Sequence, residues 1–155
     1  MPVISGGVVS QPGQLLYETV LFTETTGAGT YTGSVTVPGN SLIHDIKVWS
    51  TAVWTATTTA LMDVGDVADP DGWYTQIDLK ATDLVVGEQI RFQSAGGQEG
   101  AYYVAATGEL ETAFSATARV ISGIVITVGA AGSAGRTYMQ VIYTDPTSFA
   151  AATKA

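Results

Sequence analysis

Four carboxylates, Asp63, Asp66, Asp69 and Asp71, fall two or three residues apart in the chain, the only cluster with ligand-like spacing. Oxygen-rich loops of this kind can wrap a calcium ion. The run lacks the spacing of an EF-hand and its distal bidentate Glu, and Asp69-Pro70-Asp71-Gly72 is already a good β-turn with Pro at its second position. A plain acidic turn is therefore the better reading, calcium is the sharper alternative, and no cofactor is expected.

Other chemistry finds less support. His44 is the only histidine, no Gly-x-Ser-x-Gly elbow presents a serine to it, and on a strand it points away from its neighbour Asp45. Glu109 and Glu111 share a face if their segment is extended, but a glycosidase also needs two acids converging across a cleft. The glycine-rich pieces Gly27-Ala28-Gly29 and Gly129 to Gly135 lack the Lys-Ser/Thr ending of a phosphate loop and read as hairpin turns. No catalytic residue is assigned. Trp49, Trp54 and Trp73, with Tyr74, Tyr102 and Tyr103, fill a core or serve contact with protein or sugar, since aromatics are enriched in both places.

Composition narrows the classes further. A chain of 155 residues fits one domain burying about 70% of its unfolded surface. Charged residues are only 13% of it, about half the usual share, so Thr, Ser, Gly and Ala must cover much of the outside or neighbouring subunits must. A net charge of −8 with six scattered bases opposes nucleic-acid binding. The absence of cysteine excludes disulfides and thiolate chemistry and suits a reducing cytoplasm. The opening Met1 to Gly7 has neither the basic nor the apolar region of a secretory signal, so the mature chain is expected to begin there, and no apolar run is long enough for a membrane span.

The elements that would position these residues are strands. Residues 1–14, with Pro2, Gly6, Gly7, Pro12 and Gly13, read as an extended arm whose Val3, Ile4, Val8 and Val9 would lie on a neighbour. Strands are expected at Leu15–Thr23, Thr30–Val37 and Leu42–Trp49, the last with Leu42, His44, Ile46 and Val48 facing inward. Thr55–Thr59 reads as a loop or exposed edge, followed by strands at Ala60–Val64 and Trp73–Ile77 and a short helix within Asp78–Gly87. Ile90–Gln93 and Ala101–Ala106 are short strand candidates, and Ala113–Ile121 carries no clear pattern. Gly123–Val128 and Arg136–Thr144 are firm strands, expected to form a hairpin with Ile124, Ile126 and Val128 packed against Leu15–Phe22. The whole reads as an all-β, antiparallel β-sandwich, jelly-roll-like, over residues 15–145, with a tail at 146–155.

Ile43, Ile46 and Val48 before a Trp and Thr/Ala-rich link, then Gly65-Asp66 and Ala68-Asp69-Pro70-Asp71-Gly72-Trp73, resemble a segment of tailed-bacteriophage auxiliary head proteins. The resemblance covers roughly residues 40–90. It implies a small β-sandwich that binds the outside of a capsid as a decoration or cement protein, with the major capsid protein and copies of itself, often as homotrimers, for partners. It transfers no catalytic residue. Similar segments occur in fibre, spike and tail proteins, so a receptor- or carbohydrate-binding head using Trp54, Trp73 and the Tyr102-Tyr103 pair is the alternative. The interface expected from the sequence thus comprises Val3, Ile4, Val8, Val9, Trp49, Trp54 and Trp73.

Overall fold

The computed structural model describes residues 14–80, 82–92, 96–130 and 132–144. The expected arm with Val3, Ile4, Val8 and Val9 and the expected tail lie outside the described residues.

The chain folds into two antiparallel sheets packed face to face. The first has the order β1 (Leu15–Thr23), β11 (Arg136–Thr144), β3 (Ser41–Ala52) and β6 (Gln89–Ile90), with β9 (Phe114–Ser115) also on β3. The second has the order β2 (Thr30–Val37), β10 (Arg119–Val128), β4 (Thr59–Gly65) and β5 (Tyr74–Asp78). A small hairpin of β7 (Tyr103–Val104) and β8 (Glu109–Leu110) stands beside them. Every pairing is antiparallel. β-branched and aromatic residues in alternation favour these strands because each half-buried face can pack while the other meets water.

Between the sheets lie Phe22, Ile46, Met62, Tyr74, Ile121, Val125 and Met139, all buried. Each such side chain contributes roughly 1.5–3 kcal/mol by leaving water. Gly123 is in the middle of this layer because a Cβ there would come within 2.7 Å of the Phe22 ring and 2.8 Å of Met62. The glycine makes room for the aromatic ring from the opposite sheet. Tyr74 adds a polar tie, its hydroxyl donating to the Ile46 carbonyl at 2.6 Å, so β5 of one sheet is pinned to β3 of the other.

Several sequence expectations change. β10 and β11 form no hairpin: β10 pairs with β2 and β4, β11 with β1 and β3, and the link between them crosses from sheet to sheet. The inward residues of β10 are Ile121, Gly123, Val125 and Thr127, whereas Ile126 and Val128 are exposed, the reverse of the expected parity. In β3 the alternation changes phase: Ser41, Ile43 and Asp45 are buried, then Ile46, Val48 and Ser50. A β-bulge explains it, since Ile142 pairs with Asp45 but Tyr143 pairs with Ile43, leaving His44 as the extra residue. Leu42 and His44 are therefore exposed, not inward.

No helix occurs among the described residues of Asp78–Gly87. Leu79 continues the sheet instead, donating its N–H to the Ala60 carbonyl and accepting from Trp54 N–H. Asp78 and Asp83 accept backbone N–H groups of Lys80 and Asp78, the local competition that disfavours helix, while Leu79 and Leu84 bury fully.

One end of the sandwich is closed by a buried carboxylate. Glu24, 2% exposed, accepts the N–H groups of Thr55, Ala56 and Gly135 at 3.0, 2.9 and 2.9 Å and the Thr55 hydroxyl at 3.0 Å. Burial alone would raise its pKa, but the donors from Gly135, Thr55 and Ala56 outweigh that and hold the carboxyl below its ordinary value of 4.5. A depressed folded pKa means stability that is complete above the unfolded value and drains away as pH falls through the folded one. Glu24→Gln, which puts an amide NH₂ among N–H donors, is expected to cost about 2–4 kcal/mol at neutral pH. The same variant should flatten the loss of stability expected of the native chain as pH falls below the ordinary carboxyl value of 4.5. Urea midpoints of both proteins across the acid range check this, and parallel acid limbs would refute it.

Candidate functional site

The acidic run forms a compact loop between β4 and β5. Asp66 starts it: one carboxylate oxygen accepts Ala68 N–H at 2.9 Å, Asp69 N–H at 3.1 Å and the Tyr102 hydroxyl at 2.9 Å. The Asp69 carbonyl in turn accepts from Asp66 N–H and Gly72 N–H, completing the turn. Asp63 does separate work, accepting Gln76 N–H at 2.7 Å where β5 bulges and Gln76 takes a left-handed φ of 52°. The fold has little slack here: a Cβ on Gly65 would lie 2.0 Å from the Asp69 carbonyl oxygen, and one on Gly100 would lie 2.1 Å from that of Asp71.

The Asp63 and Asp66 carboxylates thus serve backbone donors. Among the described residues no group of three His, Cys, Asp or Glu side chains converges as a metal site. Burial, then the bond to Asp66, pushes the Tyr102 hydroxyl up to about 12. Asp69 is held above the usual carboxylate range, chiefly by its hydrogen bond with Asp71. The arrangement is a latch for the Tyr102 segment.

His44 is exposed at the β3 bulge, its Nε2 hydrogen-bonded to the Thr144 hydroxyl. Asp45 turns the other way, accepting Phe92 N–H at 3.2 Å and facing Arg91 Nε at 3.4 Å. A hollow of about 330 Å³ lies here, lined by His44, Asp45, Arg91, Phe92, Tyr103 and Leu110, with no serine among its walls. Glu109 and Glu111 are both exposed. None of these assembles a nucleophile, a base and an orienting group.

The tryptophans divide. Trp54 is 1% exposed, donating from Nε1 to the Thr137 hydroxyl at 2.7 Å with Tyr31 edge-on at 5.0 Å. Trp73 is 2% exposed, stacked on Phe92 and met edge-on by Tyr102. Both rings are core, so neither offers a face to a partner or a sugar. Trp49 is half-buried on the outer face of the first sheet, stacked on Tyr138 at 5.2 Å and 6°. Leu21 pairs with Tyr138, Tyr17 lies further along β1, and both are exposed.

The second sheet also carries exposed apolar residues. Val120, Ile126 and Val128 project outward from β10, and Val67 is fully exposed on the acidic loop. The sequence reading turned Ile126 and Val128 inward because β10 carries apolar residues on both faces, so period two alone could not tell inside from outside. Gly123 was the available signal: a glycine mid-strand marks the face against which something large packs.

The chain matches no protein-family model and no curated protein. Two solved structures share its fold. One is a chain in the acidic stable capsid structure of Helicobacter pylori bacteriophage KHP30, with TM-score 0.51 and 14% identity over 85% of this chain and 88% of that one. The other belongs to the cyanophage Pam1 capsid asymmetric unit, with TM-score 0.50 and 20% identity over 92% of this chain and 93% of that one. At these identities the likeness is one of fold.

Gly65→Ala is expected to cost more than about 3 kcal/mol, because the clash is with backbone and no side chain can yield. Asp66→Ala, which strands two N–H groups and a hydroxyl, should cost about 2–3 kcal/mol, and Asp66→Asn distinctly less because it keeps an acceptor. Thermal melts of the three variants test the order. Chelation with EDTA should leave the native melting temperature in place, whereas a drop of several degrees would restore calcium to the acidic loop.

Proposed function

We propose that this chain is a virion structural protein that binds the outside of a tailed-phage capsid and stabilises it as a decoration or cement protein. The observation that carries the reading is the shared fold with chains from two phage capsids, spanning nearly the whole length of each. The segment at residues 40–90 that resembles auxiliary head proteins points the same way. On this reading the body is a jelly-roll-like module at residues 15–145, its partners are the major capsid protein and further copies in a homotrimer, and residues 1–14 form an arm lying on a neighbour.

The physical chemistry supports such a role. A cement protein acts by contact along seams, and sheets whose outer faces are rich in hydroxyl and apolar side chains suit contact better than a charged globule does. No constellation among the described residues suits turnover. The carbohydrate-binding alternative drew on Trp54, Trp73 and the Tyr102-Tyr103 pair, and of these the two tryptophan rings are buried.

Purified particles of the phage encoding this chain should contain it in copy number comparable to the major shell subunit, as measured by quantitative mass spectrometry. A handful of copies per particle would instead indicate a fibre or tail part, and absence from particles would defeat the reading. Deleting residues 1–12 should leave the fold intact by circular dichroism while lowering retention on particles severalfold.

A further inference from the structure

The outer face of the second sheet has an unusual combination of side chains. β10 presents Val120, Ile126 and Val128, 45%, 45% and 50% exposed, with half-buried Ile124 between them. Beside this stripe, β2 contributes only hydroxyls at Thr30, Thr32, Ser34 and Thr36, all exposed. On the other side the charges are all acidic. Asp63 pairs directly with Ile124, Asp78 pairs with Leu61, and Asp66 walls a groove of about 460 Å³ against Val67, Pro70 and Val120.

Among the described residues no base forms an ion pair with Asp63 or Asp78, and only the Arg119 charge reaches Asp66. Lys47, Arg91 and Arg136 belong to the first sheet or its margin. Lys80 donates to the Ala56 carbonyl. Arg119, at the end of the stripe, spends its guanidinium on the Thr112 and Ala113 carbonyls above the Trp73 ring. A second copy of this face would set its own acids against these, its one nearby cation, Arg119, being held beside Asp66 of its own chain.

We propose that this face docks on a different protein, one presenting apolar side chains rimmed by Lys or Arg. The inference rests on the capsid reading, and the partner it names is the shell surface. Aliphatic side chains along β10, with only Ser122 between Val120 and Ile124, provide the desolvation, and the one-sided acidic flank sets orientation and makes binding sensitive to salt.

The probe is purified particles lacking this chain, mixed with the recombinant protein and sedimented. The native chain should co-sediment, and binding should weaken severalfold between low and high salt. Val120→Glu with Ile126→Glu should reduce binding by about tenfold or more, because two aliphatic contacts are replaced by charges. Thr107→Glu, an exposed charge near the β7–β8 hairpin, should leave it within about twofold. Asp63→Asn, which keeps the acceptor for Gln76 N–H, should fold normally, bind a few times more weakly and show a shallower salt dependence. If the native chain binds and the double and Asp63 variants bind as well as it does, the face is wrong while the capsid reading stands. If the native chain does not bind particles, both fall. If sedimentation velocity of the chain alone shows self-association that the double variant loses, the face belongs to a second copy and the proposal is overturned.

Discussion

The buried carboxylate of Glu24 is the constraint on which the arrangement of the sheets depends. It lies just beyond β1, and its donors come from the β3–β4 connection and the β10–β11 link, so one side chain fastens three crossings between sheets. A buried charge is costly unless fully partnered, and here both oxygens are engaged. The neighbourhood is shaped to suit: a Cβ on Gly132 would lie 2.2 Å from a Glu24 oxygen, and one on Gly135 would lie 2.6 Å from the Trp54 ring. Trp54 and Ser50 then converge on the Thr137 hydroxyl, each at 2.7 Å, extending the polar knot into β3 and β11. Because these links tie strands distant in sequence, the knot specifies which segments meet.

This explains what the sequence could and could not disclose. Leu15–Thr23, Thr30–Val37 and Arg136–Thr144 were legible as strands with their observed bounds, because alternation and β-branching are local signals. Partner choice was not. Gly129 to Gly135 has the composition of a hairpin turn, yet Gly132 and Gly135 are glycines because Glu24 and Trp54 crowd them, and the segment leads from one sheet to the other. In β3 the phase error came from a single bulge at His44, which no alternation pattern announces. The candidate site fared similarly: the acidic turn was readable from Asp-Pro-Asp-Gly, but its tie to Tyr102, thirty-six residues away, was not. Burial of Trp54 and Trp73 likewise follows from polar and aromatic partners that only the fold brings together.

Low charge takes on a definite meaning once the faces are distinguished. The first sheet's outer side carries the Trp49–Tyr138 stack and the bases Lys47 and Arg136. The second sheet's outer side has aliphatic residues, hydroxyls, the Gln76 amide and acids. Two chemically different surfaces on opposite sides of one sandwich suit two different neighbours.

Affinity from so small a body also requires that little be ordered on binding, since each side chain immobilised at a contact costs about 0.5–1.5 kcal/mol. Strand β10 meets that requirement. It is central in its sheet, paired along its length with β2 and β4, and backed by Ile121 and Val125 in the core. Its far end is fixed as well: Thr127 N–H donates to the Gly29 carbonyl at 3.0 Å, and its hydroxyl accepts Gly29 N–H at 2.9 Å, fastening β10 to the turn before β2. β-branched residues add to the effect, because Val and Ile on a strand have few χ1 choices left to lose. The outward stripe is therefore held in position by the same packing that fills the core behind it, and Gly123, which admits Phe22 from the opposite sheet, is where the two sides of that strand are coupled.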